Sequence, residues 1–360
     1  MPPPPPPLGR SRRRAQRNLR SAQFFDPALD DAELGAVRDQ LAQGRWSEAR
    51  TLLAATGDDW DRRGHRVIVL AQAAGAATWA GDWLLAEPDS ADAATLLACA
   101  DVLDVLHGKD GGKDGGRNNA SDDGKARDSK ARDSKARDGK ARDSKDRAKE
   151  QRARDACREA VRRAPADPTP WLGLLLLART LGTEEETSRF FDEVRTRHPD
   201  HHHAHHLMAA RLAERHTEPG HEAFHEVYDF ASWAAEQAPA DSPLSVLPVV
   251  AHAERYRVLA AAGREPADPA ASGHWTGRRA RQVLKGAFDW WLEWEGEEHP
   301  RNRVDLNFLA HALFHDGRLA EAAALFHRIG RHITPAPWSY PDQDPHPAFL
   351  AARDTALGSA

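Results

Sequence analysis

Apolar residues recur at helical spacing along most of this chain. From Phe24 onward the sequence is dominated by Ala, Leu, Arg and Glu, with apolar sets such as Leu96, Leu103 and Leu106. Because residues spaced in this way share one face of an α-helix, the pattern predicts amphipathic helices. The alternation of β-branched residues that is typical of strands is almost absent. The predicted fold class is therefore all-α.

Short proline-containing phrases divide the helical stretches into similar lengths. Each phrase follows one amphipathic stretch and precedes another, and Pro165 and Pro199 lie 34 residues apart. A proline just past one helix, with Asp, Ser or Asn ready to cap the next, is typical of an array of helix hairpins. The predicted hairpin segments are 30–56, 57–90, 91–167, 168–201, 202–241, 242–302 and 303–336.

The spacing of Trp, Gly and Pro resembles the tetratricopeptide repeat family, whose unit has 34 residues. The resemblance is carried by Trp60, Gly64, Ala76, Pro88, Trp171, Gly182, Phe191, Pro199, Leu306, Leu309, Ala310, Leu313, Gly317, Ala322 and Phe326, with Gly44, Ala49 and Leu53 as part of a further unit. It implies a right-handed superhelical solenoid over about residues 30–335, with a concave face for a partner. The units at 202–241 and 242–302 are longer than the family's unit.

A low-complexity insertion, residues 108–148, interrupts the helical pattern. It contains the pentapeptides GKARD, SKARD, SKARD and GKARD between Gly124 and Asp143, and no apolar residue larger than Ala. Because burial cannot offset the entropy of ordering there, we expect disorder at about 108–124, followed by a frayed extension of the helix that ends near Arg163. The other predicted regions are a disordered Pro/Arg-rich tail at 1–23, helical repeats at 24–107 and 149–336, and a C-terminal tail at 337–360.

The formal net charge of −5 conceals a strongly acidic body. Residues 108–149 carry eight Lys and six Arg against nine Asp, and the first 22 residues carry six Arg and no acid, which leaves about −16 for the rest. Phosphate neutralisation by Lys and Arg dominates nucleic-acid binding, so we expect no nucleic-acid partner.

Cysteine content and hydropathy indicate a soluble, reduced protein. Cys99 and Cys157 stand singly among small apolar residues, without metal or redox spacing, which favours two buried core residues. No run of about 18 apolar residues is present, and the Pro2–Pro7 tract lacks the apolar segment of a secretory signal. We expect a cytoplasmic protein with no membrane partner and no cofactor.

The sharpest enzymatic motif is an H-E-x-x-H string at His221, Glu222 and His225. On a helix it would place two His one turn apart with a Glu between them, as in zinc peptidases. Glu236 and Glu254 are the candidates for a third ligand. A zinc-dependent hydrolase is therefore the alternative function, although 19 His in 360 residues make a chance match common.

Two further groups of residues are candidate binding sites. The histidines at 198, 201–203, 205 and 206 include His201 and His205, one helical turn apart and able to share a metal, although a partly solvated helix start is the simpler interpretation. Trp290 and Trp294 widen the apolar stripe of one helix and are candidate partner anchors, although wide core packing also explains them.

The sequence predicts a non-catalytic protein-interaction scaffold. No phosphate loop, nucleophile elbow or spaced carboxylate pair is present, so no catalytic residue is predicted. An acidic body favours a basic peptide or protein segment as the partner. The chain's own basic segments, 10–20 and 125–147, are expected competitors for the same surface.

Overall fold

A computed structural model describes residues 25–112, 129–215, 225–293 and 299–359, with side chains outside 109–143. None of these residues forms a strand, so the predicted all-α class is confirmed for the described part of the chain. Two compact units are present: the N-terminal unit, residues 36–208, and the C-terminal unit, residues 1–35 with 209–360. Each unit is considered by itself below.

Sixteen helices lie in the described ranges. They are α1 (Ala32–Leu41), α2 (Trp46–Thr56), α3 (Trp60–Ala71), α4 (Ala76–Ala86), α5 (Ala91–Gly112), α6 (Ser129–Arg163), α7 (Thr169–Leu181), α8 (Glu184–Arg197), α9 (His202–Glu214), α10 (Glu226–Gln237), α11 (Leu247–Ala261), α12 (Arg278–Glu293), α13 (Asn302–His315), α14 (Leu319–Ile329), α15 (Pro335–Trp338) and α16 (Pro345–Ser359). Single 3-10 turns at Pro243–Val246 and Pro269–Ala271 flank α11. Two helices lie in each of the seven predicted hairpin segments.

Proline and glycine mark the helix ends. Four second helices of pairs, α4, α6, α8 and α10, end two residues before Pro88, Pro165, Pro199 and Pro239. Three first helices, α1, α11 and α13, end in the same Gly-Arg turn, at Gly44, Gly263 and Gly317, and each of these glycines has a positive φ. In each turn the glycine N–H bonds to the carbonyl three residues back and the arginine N–H to the carbonyl five back, which is a Schellman motif.

First and second helices differ in how much of their surface is buried. Unbroken buried runs occupy 63–71 in α3, 247–256 in α11 and 305–313 in α13. The second helix α14 instead buries one stripe, which includes Ala322, Phe326 and Ile329. A helix that is buried on every side lies in the interior, whereas a one-sided helix covers it. The first helices of these pairs therefore form the cores of their units.

Three first helices of the N-terminal unit, α3, α5 and α7, all contact one another. Helix axes pack about 8–10 Å apart, so a flat row of three would hold the outer two out of contact. Gly64 permits the approach of α3 to α7, because a Cβ there would lie 3.4 Å from Leu172 Cδ2. A Cβ at Gly173 would likewise lie 3.4 Å from Cys157 Sγ and 3.5 Å from Cys99 Sγ, and both cysteines are buried. These helices form a triangular cluster.

Arg63 of α3 links the starts of the other two helices in this cluster. Its Nη2 donates to Asp92 at 2.5 Å and its Nε to Asp167 at 2.7 Å, and its side chain is 8% exposed. A buried guanidinium is tolerated only when its donors are bonded, and two carboxylates meet this need. Removing either carboxylate would leave an N–H group of the buried guanidinium without its acceptor.

One predicted boundary differs from the structure, because α5 continues to Gly112, beyond the predicted start of the insertion at residue 108. α6 begins at Ser129 and includes three of the four pentapeptides, in line with the expected extension of the helix that ends near Arg163. Acid-first Asp–Arg pairs four residues apart favour this extension. Residues 113–128 and the predicted tail 1–23 lie outside the described residues. The described parts of the insertion are helical.

The predicted C-terminal tail at 337–360 is wrong for most of its length. Residues 345–359 form α16, whose fully buried Phe349 packs against Phe326 and Trp338. Asn307 of α13 holds the preceding segment: its Nδ2 donates to the carbonyl of His332, and its Oδ1 accepts from Trp338 Nε1. The sequence pattern does not indicate this helix, because its segment contains few apolar residues and only a few of its residues are buried.

We predict opposite effects of alanine at two glycines. Gly317→Ala places a side chain at φ +82°, where nothing lies within 4 Å, so backbone strain alone should lower the free energy of unfolding by about 1 kcal/mol. Gly81→Ala, in the interior of α4 and equally unobstructed, should raise it by about 0.5–1 kcal/mol. Urea unfolding of both variants measures the difference, and equal shifts would contradict the turn assignment.

Candidate functional site

The H-E-x-x-H string does not lie on a described helix. His221 and Glu222 lie outside the described residues, and α10 begins at Glu226, one residue after His225. Arg279 donates to His225 Nδ1 at 3.0 Å. A zinc ligand must offer an available lone pair, and the guanidinium takes the lone pair of Nδ1. Of the proposed third ligands, Glu254 is buried and accepts from the Tyr340 hydroxyl at 2.6 Å.

The histidine-rich segment packs in the interior of the N-terminal unit. Asp61 of α3 accepts from His198 Nε2 and from the backbone N–H of His202, both at 2.9 Å, so it caps the start of α9. His201 and His202 are fully buried. The expectation of a partly solvated helix start is therefore wrong, because a carboxylate from another helix satisfies this start inside the fold.

His201 and His205 are held by contacts within this interior. His205 Nδ1 donates to the His201 carbonyl at 2.9 Å, and its ring meets Phe191 edge-on at 5.0 Å. Burial lowers the pKa of His205 to about 4, so its imidazole is neutral at pH 7. The structure shows packing by this pair, and metal binding by it stays a prediction.

Trp290 is bound within its own chain. The side chain is half-buried, and its Nε1 donates to the Ala240 carbonyl at 2.9 Å, which fixes α12 to the connection between α10 and α11. Trp294 lies outside the described residues. Of these two tryptophans, Trp290 therefore has a structural role.

A different tryptophan, Trp233 of α10, has an exposed side chain, at 40% of its surface. Asp229 and Glu236, both exposed, lie one helical turn before it and one turn after it. We call these three residues the α10 stripe. α10 contains three acidic residues and no Lys or Arg, which distinguishes it from most helices of this chain. The exposure of Trp233 could not be predicted from the sequence, because it depends on how α10 packs.

A cleft of about 430 Å³ lies in the C-terminal unit between α10, α11 and α12. Helical spacing assembles it: α10 supplies Tyr228 and Ser232, and α11 supplies Pro248 and His252, four residues apart in each case. The remaining lining residues are Ser245 from the 3-10 turn and Arg279, Gln282, Val283, Gly286 and Ala287 from α12. Its size falls within the range of small-molecule sites.

Of the described residues that line the cleft, Arg279 is the one that carries a charge. Its guanidinium lies over the Tyr228 ring at 4.9 Å and donates to Asp229 at 3.5 Å and to His225. Both members of the Arg279–Asp229 pair are about half exposed or more, so water screens this ion pair. The cleft therefore presents a positive charge that a bound anion can reach.

His252 forms the floor of the cleft. Its side chain is 6% exposed, its ring lies 4.4 Å from that of Tyr228, and its Nδ1 has no hydrogen-bond partner among the described residues. Burial, with His274 and Arg279 nearby, lowers the pKa of His252 to about 3. Burial also raises the pKa of Tyr228 to about 12. Both groups are neutral at pH 7 and can form hydrogen bonds without a charge cost.

The lining is chemically suited to binding. It contains hydroxyls, one amide, one imidazole and one guanidinium, together with the apolar Pro248, Val283 and Ala287. Among the described residues it contains no carboxylate that could act as an acid or base with His252. The cleft could not be predicted from the sequence, because its residues are common types and only their shared helical registers bring them together.

Comparisons with known proteins provide no family for this chain. Neither protein-family models nor curated protein sequences yield a match. In the ranges that the structure covers, no helix combines the length and apolar character needed to cross a membrane.

Lowering the pH tests whether His252 is neutral in the folded protein. Below the usual histidine pKa the unfolded chain binds a proton that the folded chain does not, so stability falls as the pH falls from 6.5 towards 3. From pH 6.5 to 4.5 this histidine should account for about 2 kcal/mol of lost unfolding free energy. The variant His252→Gln should lose correspondingly less over this interval in urea titrations. Parallel pH profiles of the two proteins would refute the assignment.

Proposed function

We propose that this protein is a non-catalytic interaction scaffold of helix hairpins and that its partner is a basic protein segment. In this proposal the pairs form a tetratricopeptide-like solenoid. The regular placement of proline after second helices and of Gly-Arg turns after first helices supports it. The acidic body supports a partner of opposite charge, since charge complementarity steers association.

The docking surface that we infer is the α10 stripe. In the N-terminal unit the mutual contacts of α3, α5 and α7 fill the space between these first helices, so a groove between them is not open. The α10 stripe instead presents an aromatic ring between two carboxylates. A Lys or Arg side chain can lay its aliphatic part and its charge on such a ring and pair with the flanking acids. This stripe is the single observation that carries the proposal.

A catalytic role has less support. His225 Nδ1 accepts from Arg279, and the described helix starts after the string. Among the described residues, no carboxylate lines the cleft of the C-terminal unit. The zinc-hydrolase alternative therefore has no contact in the described residues that favours it.

A basic probe peptide tests this proposal. We suggest a labelled peptide with the sequence of residues 8–22, which carries six Arg and no acid, and a matched peptide with Glu in place of Arg. The full-length protein should bind the first and not the second, with an affinity that falls as salt is raised. Trp233→Ala should weaken binding about tenfold, equivalent to about 1.4 kcal/mol, as expected for an aromatic anchor.

Leu85→Ala is the matched control, because Leu85 is 81% exposed on α4 and lies outside the α10 stripe. Fluorescence anisotropy measures the binding of both peptides to the wild type and to the two variants. Unchanged affinity of Trp233→Ala would remove the α10 stripe from the binding surface. Equal binding of the basic and acidic peptides would contradict the basic partner.

A further inference from the structure

The cleft between α10, α11 and α12 carries chemistry that a protein-docking scaffold does not require. A buried imidazole, a tyrosine hydroxyl, two serines, an amide and a guanidinium converge on one space of about 430 Å³. The α10 stripe does not include these groups. We propose that this cleft is a binding site for a small organic monocarboxylate with an apolar or aromatic body.

The charge of the lining selects the ligand's head group. Among the described residues that line the cleft, Arg279 is the charged one, and its guanidinium is half exposed beside Asp229, so it can also bind a ligand with one negative charge. A guanidinium binds a carboxylate through two parallel N–H bonds, and its position over the Tyr228 ring holds its plane in place. A phosphate monoester would bring about two charges against one, and an amine would meet a like charge.

The remaining lining selects the ligand's body. Pro248, Val283 and Ala287 provide apolar wall, and the rings of Tyr228 and His252, which are tilted by 38° to each other, provide an aromatic one. The cleft's volume suits a body of roughly ten non-hydrogen atoms, within the lower part of the usual size range for such sites. These walls give an apolar or aromatic body a surface to pack against.

His252 forms the floor of the cleft. Its side chain is more than nine-tenths buried, and its Nδ1 is enclosed and has no hydrogen-bond partner among the described residues. Because this imidazole is neutral, it adds no charge to the cleft.

The test uses four probes of similar size with the full-length protein: phenylacetate, hexanoate, phenethylamine and phenyl phosphate. Isothermal titration should give a Kd below about 1 mM for the two carboxylates and no binding for the amine. Phenyl phosphate should bind at least tenfold more weakly than phenylacetate. Affinity for phenylacetate should be constant between pH 6 and 8, because no lining group changes charge there.

Gly286→Leu is the blocking variant. Gly286 lines the cleft, and a Cβ there meets no atom within 4 Å, so a leucine side chain extends into open space. Leucine also favours the helix over glycine, so the variant should keep its melting temperature while phenylacetate affinity falls at least tenfold. Gly81→Leu, also helical and unobstructed but not part of the cleft, is the control and should bind like the wild type.

Arg279→Gln supplies a second readout, because this side chain is 49% exposed and its loss should not prevent folding. It should remove the preference for phenylacetate over phenethylamine. The proposal is overturned if the wild type binds neither carboxylate, if Gly286→Leu binds phenylacetate as well as Gly81→Leu does, or if the amine or the phosphate binds as tightly as phenylacetate. Each result is independent of whether the α10 stripe binds a basic peptide.

Discussion

Complete burial of the first helix in several pairs is the constraint on which each unit depends. A helix enclosed on every side must either be apolar all round or find partners inside for its polar residues. α3 meets this requirement through Arg63 and its two carboxylates, and α13 through Asn307 and the bonds that it makes to the segment before α16. Polar residues in these helices therefore determine which neighbouring segments pack against them.

Much of the helical organisation could be predicted from the sequence, because helix ends are local. Prolines and glycines act through their own backbone, so Pro199 and Gly317 indicate helix ends without knowledge of the fold. Burial of polar residues depends on distant partners: nothing near His202 in the sequence reveals that Asp61 caps its helix. The same reason explains why the C-terminal helix α16 was missed, since its support comes from Phe326 and Trp338.

The candidate sites show the same difference between local signals in the sequence and contacts that depend on the fold. Trp290 and Trp233 are equally visible in the sequence, but only the fold shows that the first donates to a backbone carbonyl and the second has an exposed ring. In the C-terminal unit, the second helices α10 and α12 form walls, and the buried first helix α11 forms the floor between them. A hairpin array thus creates a cleft wherever two adjacent second helices stand apart over one first helix.

The long helix α6 has a geometric property that follows from its pentapeptides. Five residues advance an α-helix by about 7.5 Å and rotate it by about 140°. Gain or loss of one pentapeptide within the helical part would therefore redirect the chain that enters α6 by more than a third of a turn, while residues 149–163 keep their place beside α5. The number of pentapeptides therefore sets the direction from which the chain enters α6, and it leaves the packed core unaltered.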